Sequence, residues 1–240
     1  MKLLSIIIPA YNEERFIKKV IDSVIEVNID SLGYKKEIII VDDGSIDNTY
    51  NIISSYKDII LIRQKNLGKG AAVQKGLSIA KGEYFLIQDA DLEYNPKDYI
   101  ILLSKLNENP NAVIYGSRIL GCIRSNGFKF LPGKHKMQSF GPWLANLVLS
   151  LWTFLLYGKW ITDTLTAYKI YKTSIIKNLV IKTKGFETDH ELTAKLIKMK
   201  IKIHEVPIQY FPRSKAEGKK IKLSDGFVAI LTLLRFRVSN

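Results

Sequence analysis

Short apolar runs alternate with amphipathic stretches over the first half of the chain. The runs are rich in β-branched residues and lie at 4–8, 37–41, 59–62, 84–88 and 112–115. Each run has the length of one strand, whereas the stretches after residue 12 and from about 70 to 81 repeat apolar residues at helical spacing. This alternation predicts βαβ units and a largely parallel sheet, whose strands deliver their carboxyl ends to one edge.

The first helix is predicted to follow Asn12, which is a suitable N-cap residue. Glu13 and Glu14 would then lie in the first turn, where the helix dipole favours acidic side chains. Pro9 is expected to end the preceding strand, and Gly82 is expected to end the helix that begins near residue 70. The apolar residues after Asn12 share one face: Phe16, Ile17, Val20, Ile21, Val24 and Ile25.

About 22 uncharged residues run from 137 to 158 in the second half of the chain. A helix from Pro142 to Tyr157 would be roughly 24 Å long, which is short of the hydrocarbon core of a bilayer at about 30 Å. Its polar residues form one stripe, and its Trp and Tyr residues suit a headgroup boundary. A helix that lies in the membrane interface is therefore favoured, with a buried core helix and a membrane span as alternatives. The stripe consists of Asn146, Ser150, Thr153 and Tyr157.

The chain length of 240 residues fits one large domain or one domain with an appendage. We expect a catalytic domain over 1–212, followed by a basic loop and a membrane-contacting segment over 213–240. The apolar stretch from Phe227 to Leu234 precedes Arg235 and Arg237, a composition that suits anionic headgroups. An ordinary packing helix is the alternative interpretation of this segment.

The net charge of +13 indicates an anionic partner, which could be a nucleic acid, a phospholipid surface or a phosphorylated substrate. The aromatic residues are embedded in apolar runs and are not interleaved with basic residues, which argues against nucleic acid. The single cysteine, Cys122, excludes an internal disulfide and favours the reducing, cytoplasmic side of a membrane.

Acidic residues follow two of the predicted strands directly. Asp89 and Asp91 follow the run at 84–88, and such a pair can bind Mg²⁺ or Mn²⁺ together with substrate phosphates. Asp42 and Asp43 follow the run at 37–41 and are placed to accept hydrogen bonds from a base or a ribose, although a helix-capping turn would be the better explanation if this pair stood alone. Because the strand ends meet at one edge, the two acidic pairs together predict a ligand site there.

Four segments resemble, in order and spacing, the family 2 glycosyltransferases of GT-A fold: 5–14, 41–45, 66–70 and 88–91. The resemblance implies a mixed, mostly parallel sheet flanked by helices, and a divalent metal on Asp89 and Asp91. It also implies a nucleotide-sugar pocket that uses Pro9, Tyr11, Glu13, Asp42, Asp43, Lys69, Asp89, Ala90 and Asp91.

The second half resembles the branch that makes polyprenyl-phosphate sugars, the dolichyl-phosphate mannose and glucose synthases. The segments that carry this resemblance are 116–118, 162–169, 186–189, 205–207, Arg213 and 217–221. Ala167 departs from the Gly or Cys that many relatives carry. The resemblance implies a donor such as UDP-glucose or GDP-mannose, a polyprenyl phosphate acceptor, and a catalytic or positioning role for Glu187 and Asp189. Helix capping by Thr188 or Asp189 is the alternative.

A lipid phosphate acceptor changes what the site must supply. Its second pKa is near roughly 6, so it presents a nucleophilic oxygen at neutral pH without a general base. The enzyme then needs cations to bind it, and two arginines offer bidentate geometry. We expect an inverting single displacement in which the acceptor phosphate is bound by Arg118, Lys136, Arg213 and Lys219.

Other functions remain open at this point. A family 2 transferase that acts on a sugar hydroxyl would need Glu187 or Asp189 as its base. A non-catalytic basic module for membrane or nucleic acid belongs to a different class. A sugar-1-phosphate nucleotidyltransferase is disfavoured, because the segment from Leu3 to Glu14 has no glycine with which to form a phosphate loop.

Overall fold

The structure is a computed structural model that describes residues 1–126, 140–213 and 223–239. The described residues form a seven-stranded sheet with the order β3-β2-β1-β4-β6-β5-β7. β1 lies between β2 and β4 and is parallel to both, whereas β6 is antiparallel to β4 and to β5. The strands are β1 (Lys2–Ala10), β2 (Tyr34–Asp42), β3 (Ile60–Arg63), β4 (Tyr84–Ile87), β5 (Val113–Ser117), β6 (Lys169–Lys172) and β7 (Ile203–Pro207).

Nine α-helices lie in the described ranges. They are α1 (Ile17–Glu26), α2 (Thr49–Ser54), α3 (Lys69–Ile79), α4 (Tyr99–Glu108), α5 (Arg118–Asn126), α6 (Phe140–Tyr157), α7 (Thr173–Lys177), α8 (Thr188–Lys198) and α9 (Leu223–Val238). The predicted mostly parallel α/β sheet with flanking helices is confirmed.

The core lies on both faces of the sheet. Ile6 and Ile8 of β1 pack with residues of α1 and α4, whereas Ile7 packs on the opposite face with residues of α3 and α8. Because both faces are covered, the central strands are continuous apolar runs without polar alternation. Since both faces are buried, the polar side chains that this sheet offers to a ligand lie where its strands end.

The start of the first helix was predicted wrongly. α1 begins at Ile17, and the carbonyl of Glu13 accepts from the amides of Phe16 and Ile17. The Asn12 side chain accepts from the amide of Ile46 instead of capping a helix, and Asn12 has a left-handed φ of 50°. A tertiary contact with the loop after β2 therefore overrides the local capping preference.

Pro9 does not end β1, contrary to the prediction, because the strand continues to Ala10. The carbonyl of Ile7 accepts from the amide of Gln88, which follows β4, and the carbonyl of Ala10 accepts from the amide of Asp43, which follows β2. Because alternate residues of a strand bond to the same side, Pro9 faces β4 as Ile7 does, and its missing N–H lies on that side. The register with β4 ends at Ile7, so proline removes no ladder hydrogen bond there. Likewise, α3 ends at Ile79, before Gly82.

The polar stripe of α6 faces the protein. Asn146, Ser150 and Thr153 are buried, and the Asn146 amide donates to the carbonyl of Thr162 and accepts from the amide of Thr164. Helix α9 packs beside α6, and the Trp152 indole donates to the carbonyl of Ile230. Helix α6 thus packs against the protein through its polar stripe together with the buried Leu149.

The outward sides of α6 and α9 are apolar. We call them the α6–α9 apolar face, which includes Leu151 (48% exposed), Phe154 (45%), Phe227 (71%) and Leu231 (63%). Of the helices that the structure describes, none combines the length and apolar character that a membrane crossing needs. Further exposed members of this face are Leu144, Leu147, Val148, Leu155, Val228 and Leu234.

Candidate active site

The predicted acidic residues lie at one edge of the sheet. Asp42 ends β2, Glu13 follows β1, and Asp89 and Asp91 follow β4. Because β1 lies between β2 and β4, the three exits are adjacent. Pro9 and Tyr11 are partly buried at the end of β1, and the edge as a whole is the usual ligand site of an open α/β sheet.

Gln88 holds the turn after β4 in place through hydrogen bonds. Its amide donates to the carbonyl of Asp89 at 2.9 Å, and its oxygen accepts from the hydroxyls of Tyr99 and Tyr168 at 2.6 and 2.7 Å. Gln88 is buried, as is Ala90 between the two acids. These contacts hold the Asp89–Asp91 turn in a fixed position at the site.

Arg213 contacts three acidic residues of the site. It donates to Glu13 at 3.1 Å and to Asp91 at 2.7 Å, and its backbone amide donates to Glu93 at 2.9 Å. Burial, followed by repulsion from Asp89 and Glu93, raises the pKa of Asp91 to about 7 even though Arg213 opposes the shift. Sequence reasoning missed Glu93, although a third acid two residues after Asp91 was visible.

Lys69 joins the β4 exit to the amino end of α8. Its ammonium lies 2.6 Å from Asp89 and 5.8 Å from the centre of the Phe186 ring. Burial alone would lower the pKa of Lys69, but attraction by Asp89 and Asp189 outweighs it, so the pKa is raised. Lys69 therefore remains a cation between two carboxylates.

Glycines allow this close approach of α3 to the loop before α8. Gly68 has a φ of +98°, and its amide donates to Asp43 at 2.9 Å. A Cβ at Gly70 would overlap the hydroxyl of Thr188 and lie 2.8 Å from the carbonyl oxygen of Gly185. The Gly-Lys-Gly segment at 68–70 is thus required to bring Lys69 to the site.

The two acids at the end of β2 have different surroundings. Asp42 is fully buried and lies 3.2 Å from the guanidinium of Arg63. We expected Asp43 to accept hydrogen bonds from a nucleotide, but in the structure both of its oxygens accept from the loop that leads to Lys69, including the amides of Leu67 and Gly68. Asp43 thus positions the loop.

Asp189 lies in the first turn of α8, 3.3 Å from the ammonium of Lys169. Burial would raise the pKa of Asp189, but Lys169 and Lys69 lower it. Glu187 occupies the N-cap position without a capping bond from its side chain, which accepts from the amide of Gly185 at 3.1 Å. The alternative that Thr188 or Asp189 caps this helix is therefore wrong.

The guanidinium of Arg118 is held by an acidic side chain and an aromatic ring of the protein itself. Its Nε and Nη2 each donate to Asp163 at 2.7 Å, and its guanidinium stacks on the ring of Tyr210. Asp163 is positioned in turn by its amide, which donates to Glu205 at 3.1 Å. The other two cations predicted for the acceptor phosphate, Lys136 and Lys219, lie outside the described residues.

Asp89 and Asp91 fit a hard divalent cation. Within the described ranges, no cluster of three or more His, Cys, Asp or Glu residues is placed to hold a metal. Mg²⁺ needs only one or two carboxylates when substrate phosphates and water supply its other ligands. The raised pKa of Asp91 reflects its burial and, after that, repulsion from Asp89 and Glu93, and a bound cation relieves this repulsion.

The sequence matches known proteins. The family model for glycosyl transferase family 2 matches residues 5–153. A UDP-N-acetylglucosamine–dolichyl-phosphate N-acetylglucosaminyltransferase of Methanococcus voltae is 32% identical over 100% of this chain and 98% of that protein. A dolichyl-phosphate beta-glucosyltransferase of Trichomonas vaginalis is 29% identical over 98% of this chain and 73% of that protein.

The fold also matches solved structures. Glucosyl-3-phosphoglycerate synthase from Mycobacterium tuberculosis, crystallised with Mn²⁺, UDP and glucosyl-3-phosphoglycerate, has a TM-score of 0.68 at 18% identity over 98% of this chain and 80% of that chain. Another crystal of that enzyme contains Mg²⁺ and UDP. The likeness at this identity concerns the fold. With the family match and the acidic edge, it leads to one conclusion: the chain belongs to glycosyltransferase family 2 and has the GT-A fold.

Proposed function

We propose that this glycosyltransferase moves a hexose from a nucleoside diphosphate to a polyprenyl, dolichyl-type phosphate at the cytoplasmic face of a membrane. The names of the relatives from M. voltae and T. vaginalis both include dolichyl phosphate. The observation that carries the proposal for this chain is the α6–α9 apolar face, since exposed apolar surface on two adjacent helices suits the hydrocarbon boundary of a bilayer.

The charge around Asp189 favours a phosphate acceptor over a hydroxyl acceptor. A hydroxyl needs a general base, which works best when its pKa is near the working pH. The pKa of Asp189 is lowered by Lys169 and Lys69, despite its burial, so this carboxylate is a weak base. A lipid phosphate is already ionised and needs no such base.

The donor would occupy the edge of the sheet. Tyr11, Glu13 and Asp42 line the part proposed for the nucleoside, and Asp89 and Asp91 are the proposed ligands of Mg²⁺ or Mn²⁺. When bound, this ion supplies charge neutralisation for the departing diphosphate. Lys69 lies beside Asp89, where it adds a second positive charge.

The acceptor phosphate would be bound by Arg118 and Arg213, with Lys136 and Lys219 completing the set. Arg213 would exchange its two carboxylate partners, Glu13 and Asp91, for phosphate oxygens, which a guanidinium can bind with bidentate geometry. Attack of a phosphate oxygen on the anomeric carbon expels the nucleoside diphosphate in a single displacement. The product therefore has the anomeric configuration opposite to that of the donor.

Lipid extraction tests the proposal directly. The purified chain is mixed with Mn²⁺, a polyprenyl phosphate and, in separate reactions, labelled UDP-glucose, UDP-N-acetylglucosamine or GDP-mannose. We expect label from one of these donors in the organic phase, and none when polyprenol replaces the polyprenyl phosphate. The Asp91→Asn variant should fold and lose this transfer, because it removes one charged oxygen from the metal pair.

Two outcomes would overturn the proposal. Equal transfer to polyprenol would indicate a hydroxyl acceptor, which is the rival reaction within the family. Tight binding of polyprenyl phosphate vesicles without turnover of any donor would indicate a non-catalytic membrane module.

A further inference from the structure

Lys169 is a buried cation beside the proposed site. It lies on β6 and is 0% exposed, although its neighbours Ile170 and Tyr171 show that this strand otherwise contributes apolar side chains to the core. Its ammonium is 3.3 Å from Asp189, 3.4 Å from the carbonyl of Thr164 and 4.9 Å from the centre of the Tyr115 ring. We propose that Lys169 is a positioning residue that fixes the Asp189 carboxylate to bind a hydroxyl of the donor hexose.

Burial makes a purely structural role for this lysine unfavourable. An ammonium has three donors and loses strong hydration when it leaves water. The contacts of Lys169 within the described chain are long, so they compensate for that loss incompletely. Replacement of a buried ion pair by apolar residues is often neutral or stabilising, so the fold alone does not require a lysine here.

Asp189 has capacity for a ligand. Its Oδ1 is buried beside the Lys169 ammonium, whereas its side chain as a whole is 18% exposed, so the accessible part of the carboxylate lies away from Lys169 and can face a ligand. A carboxylate oxygen has two lone pairs, and a sugar hydroxyl is a donor of the matching kind. The pair thus presents a negatively charged hydrogen-bond acceptor at a fixed position, which suits a sugar hydroxyl.

The position of Asp189 indicates that it contacts the sugar of the donor and not the nucleoside. Lys69 links Asp89 to the start of α8, because its ammonium lies 2.6 Å from Asp89 and the adjacent Gly70 packs closely against Thr188, the residue before Asp189. Asp89 marks the diphosphate end of the donor under the proposed function, on which this step of the inference rests. The group attached to the outer phosphate of the donor is the hexose, so Asp189 would meet its hydroxyls.

The first test compares two ligands that differ by the sugar alone. Lys169→Met removes the charge at similar volume, and Lys172→Met is the matched control, because Lys172 lies on the same strand and bonds instead to Asn111. Calorimetry with Mn²⁺ should show that Lys169→Met weakens binding of the donor by about tenfold, while binding of the nucleoside diphosphate changes by less than about twofold. Lys172→Met should change neither affinity.

A conservative variant and a double variant separate positioning from folding. Lys169→Arg keeps a charge and should recover part of the donor affinity. In an Asp189→Asn background, Lys169→Met should have little further effect, because both changes remove the same interaction. The double variant also avoids leaving a carboxylate buried without its cation, so it remains measurable if Lys169→Met alone fails to fold.

Three results would overturn the inference. They are equal loss of donor and diphosphate affinity, donor affinity equal to that of the unmodified chain, and additive effects in the double variant. None of these comparisons involves an acceptor. A lipid assay that fails while the donor comparison succeeds would therefore reject the polyprenyl phosphate and leave the role of Lys169 intact.

Discussion

Arg213 neutralises acids that belong to the proposed donor site. Its guanidinium is nearly buried, lies over the ring of Phe16, and contacts both Glu13 and Asp91. A divalent ion at Asp91 carries twice its charge and competes for the same oxygens. Arg213 thus holds the acidic cluster together, and under the proposed function it competes with the metal ion until the nucleotide binds.

Removal of this arginine should strengthen metal binding. Arg213→Gln leaves Asp91, Glu13 and Glu93 without their shared cation, so we expect Mn²⁺ alone to bind about tenfold more tightly. Titration followed by electron paramagnetic resonance of free Mn²⁺ measures this directly. The control is Arg124→Gln on α5, an exposed arginine, which should leave Mn²⁺ affinity unchanged. Unchanged or weaker Mn²⁺ binding by Arg213→Gln would refute the competition.

His190 makes stability depend on pH. It is buried beside Asp189, and burial together with repulsion from Lys169 lowers its pKa from 6.5 to about 4. Between these values the unfolded chain binds a proton that the folded chain does not, so stability is lost as pH falls. The loss reaches up to about 3 kcal/mol near pH 4 for a shift of this size.

Replacement of His190 should flatten this dependence. In His190→Asn the free energy of unfolding should fall less between about pH 6.5 and 4 than in the unmodified chain, because no proton is taken up at this position on unfolding. Urea unfolding at several pH values supplies the comparison. His204 lies on β7 and only part of its side chain is buried, so His204→Asn is the control and should retain most of the slope. Identical slopes for His190→Asn and the unmodified chain would contradict the assignment.

Element types were predictable where periodicity was strong. The runs at 4–8, 37–41 and 84–88 became central strands, because parallel strands covered on both faces are apolar without interruption. The antiparallel β6 was not identified, since it is short and a lysine opens it at position 169. That lysine within an apolar segment was itself a signal, because charge is rare in a buried strand.

The acidic residues of the candidate site were predictable from the sequence, whereas their pairings with basic residues were not. Acids that follow adjacent strands must meet at one edge, so Asp89 and Asp91 could be placed from sequence. The resemblance placed Lys69 and Arg213 in the site, but their pairings with these acids could not be predicted, because the two cations lie 20 residues before Asp89 and 122 residues after Asp91 and are brought in by tertiary packing. Pairings of this kind depend on loop geometry, which no local pattern encodes.

The outer side of α6 should determine membrane binding. Leu151→Glu introduces a charge into the α6–α9 apolar face without touching the buried polar stripe, so we expect folding to be retained and vesicle binding to weaken by about tenfold or more. Flotation with anionic vesicles measures binding. Ile25→Glu makes the same chemical change on α1, where Ile25 is also 48% exposed, and should bind as the unmodified chain does. Equal loss in both variants would indicate a general charge effect.

Basic and apolar segments are adjacent in sequence at two places in the chain. The segments that precede α6 and α9 are basic, and α9 ends near Arg235 and Arg237. Each basic residue near an anionic bilayer contributes on the order of 1 kcal/mol, within a distance set by the Debye length. The basic residues of the two preceding segments are Lys129, Lys134, Lys136, Arg213, Lys215, Lys219, Lys220 and Lys222.

The net charge of +13 should make membrane binding a two-part process. From about 0.05 M to about 0.5 M NaCl the Debye length shrinks from roughly 14 to 4 Å, so the electrostatic part should fade while the apolar part persists. We expect affinity for anionic vesicles to fall by about tenfold or more over this range, toward the weaker, nearly salt-independent affinity for neutral vesicles. In Leu151→Glu the salt-dependent part should remain and the residual binding at high salt should vanish, because the two contributions arise from different atoms. Residual binding of that variant equal to the unmodified chain would show that the α6–α9 apolar face does not enter the bilayer.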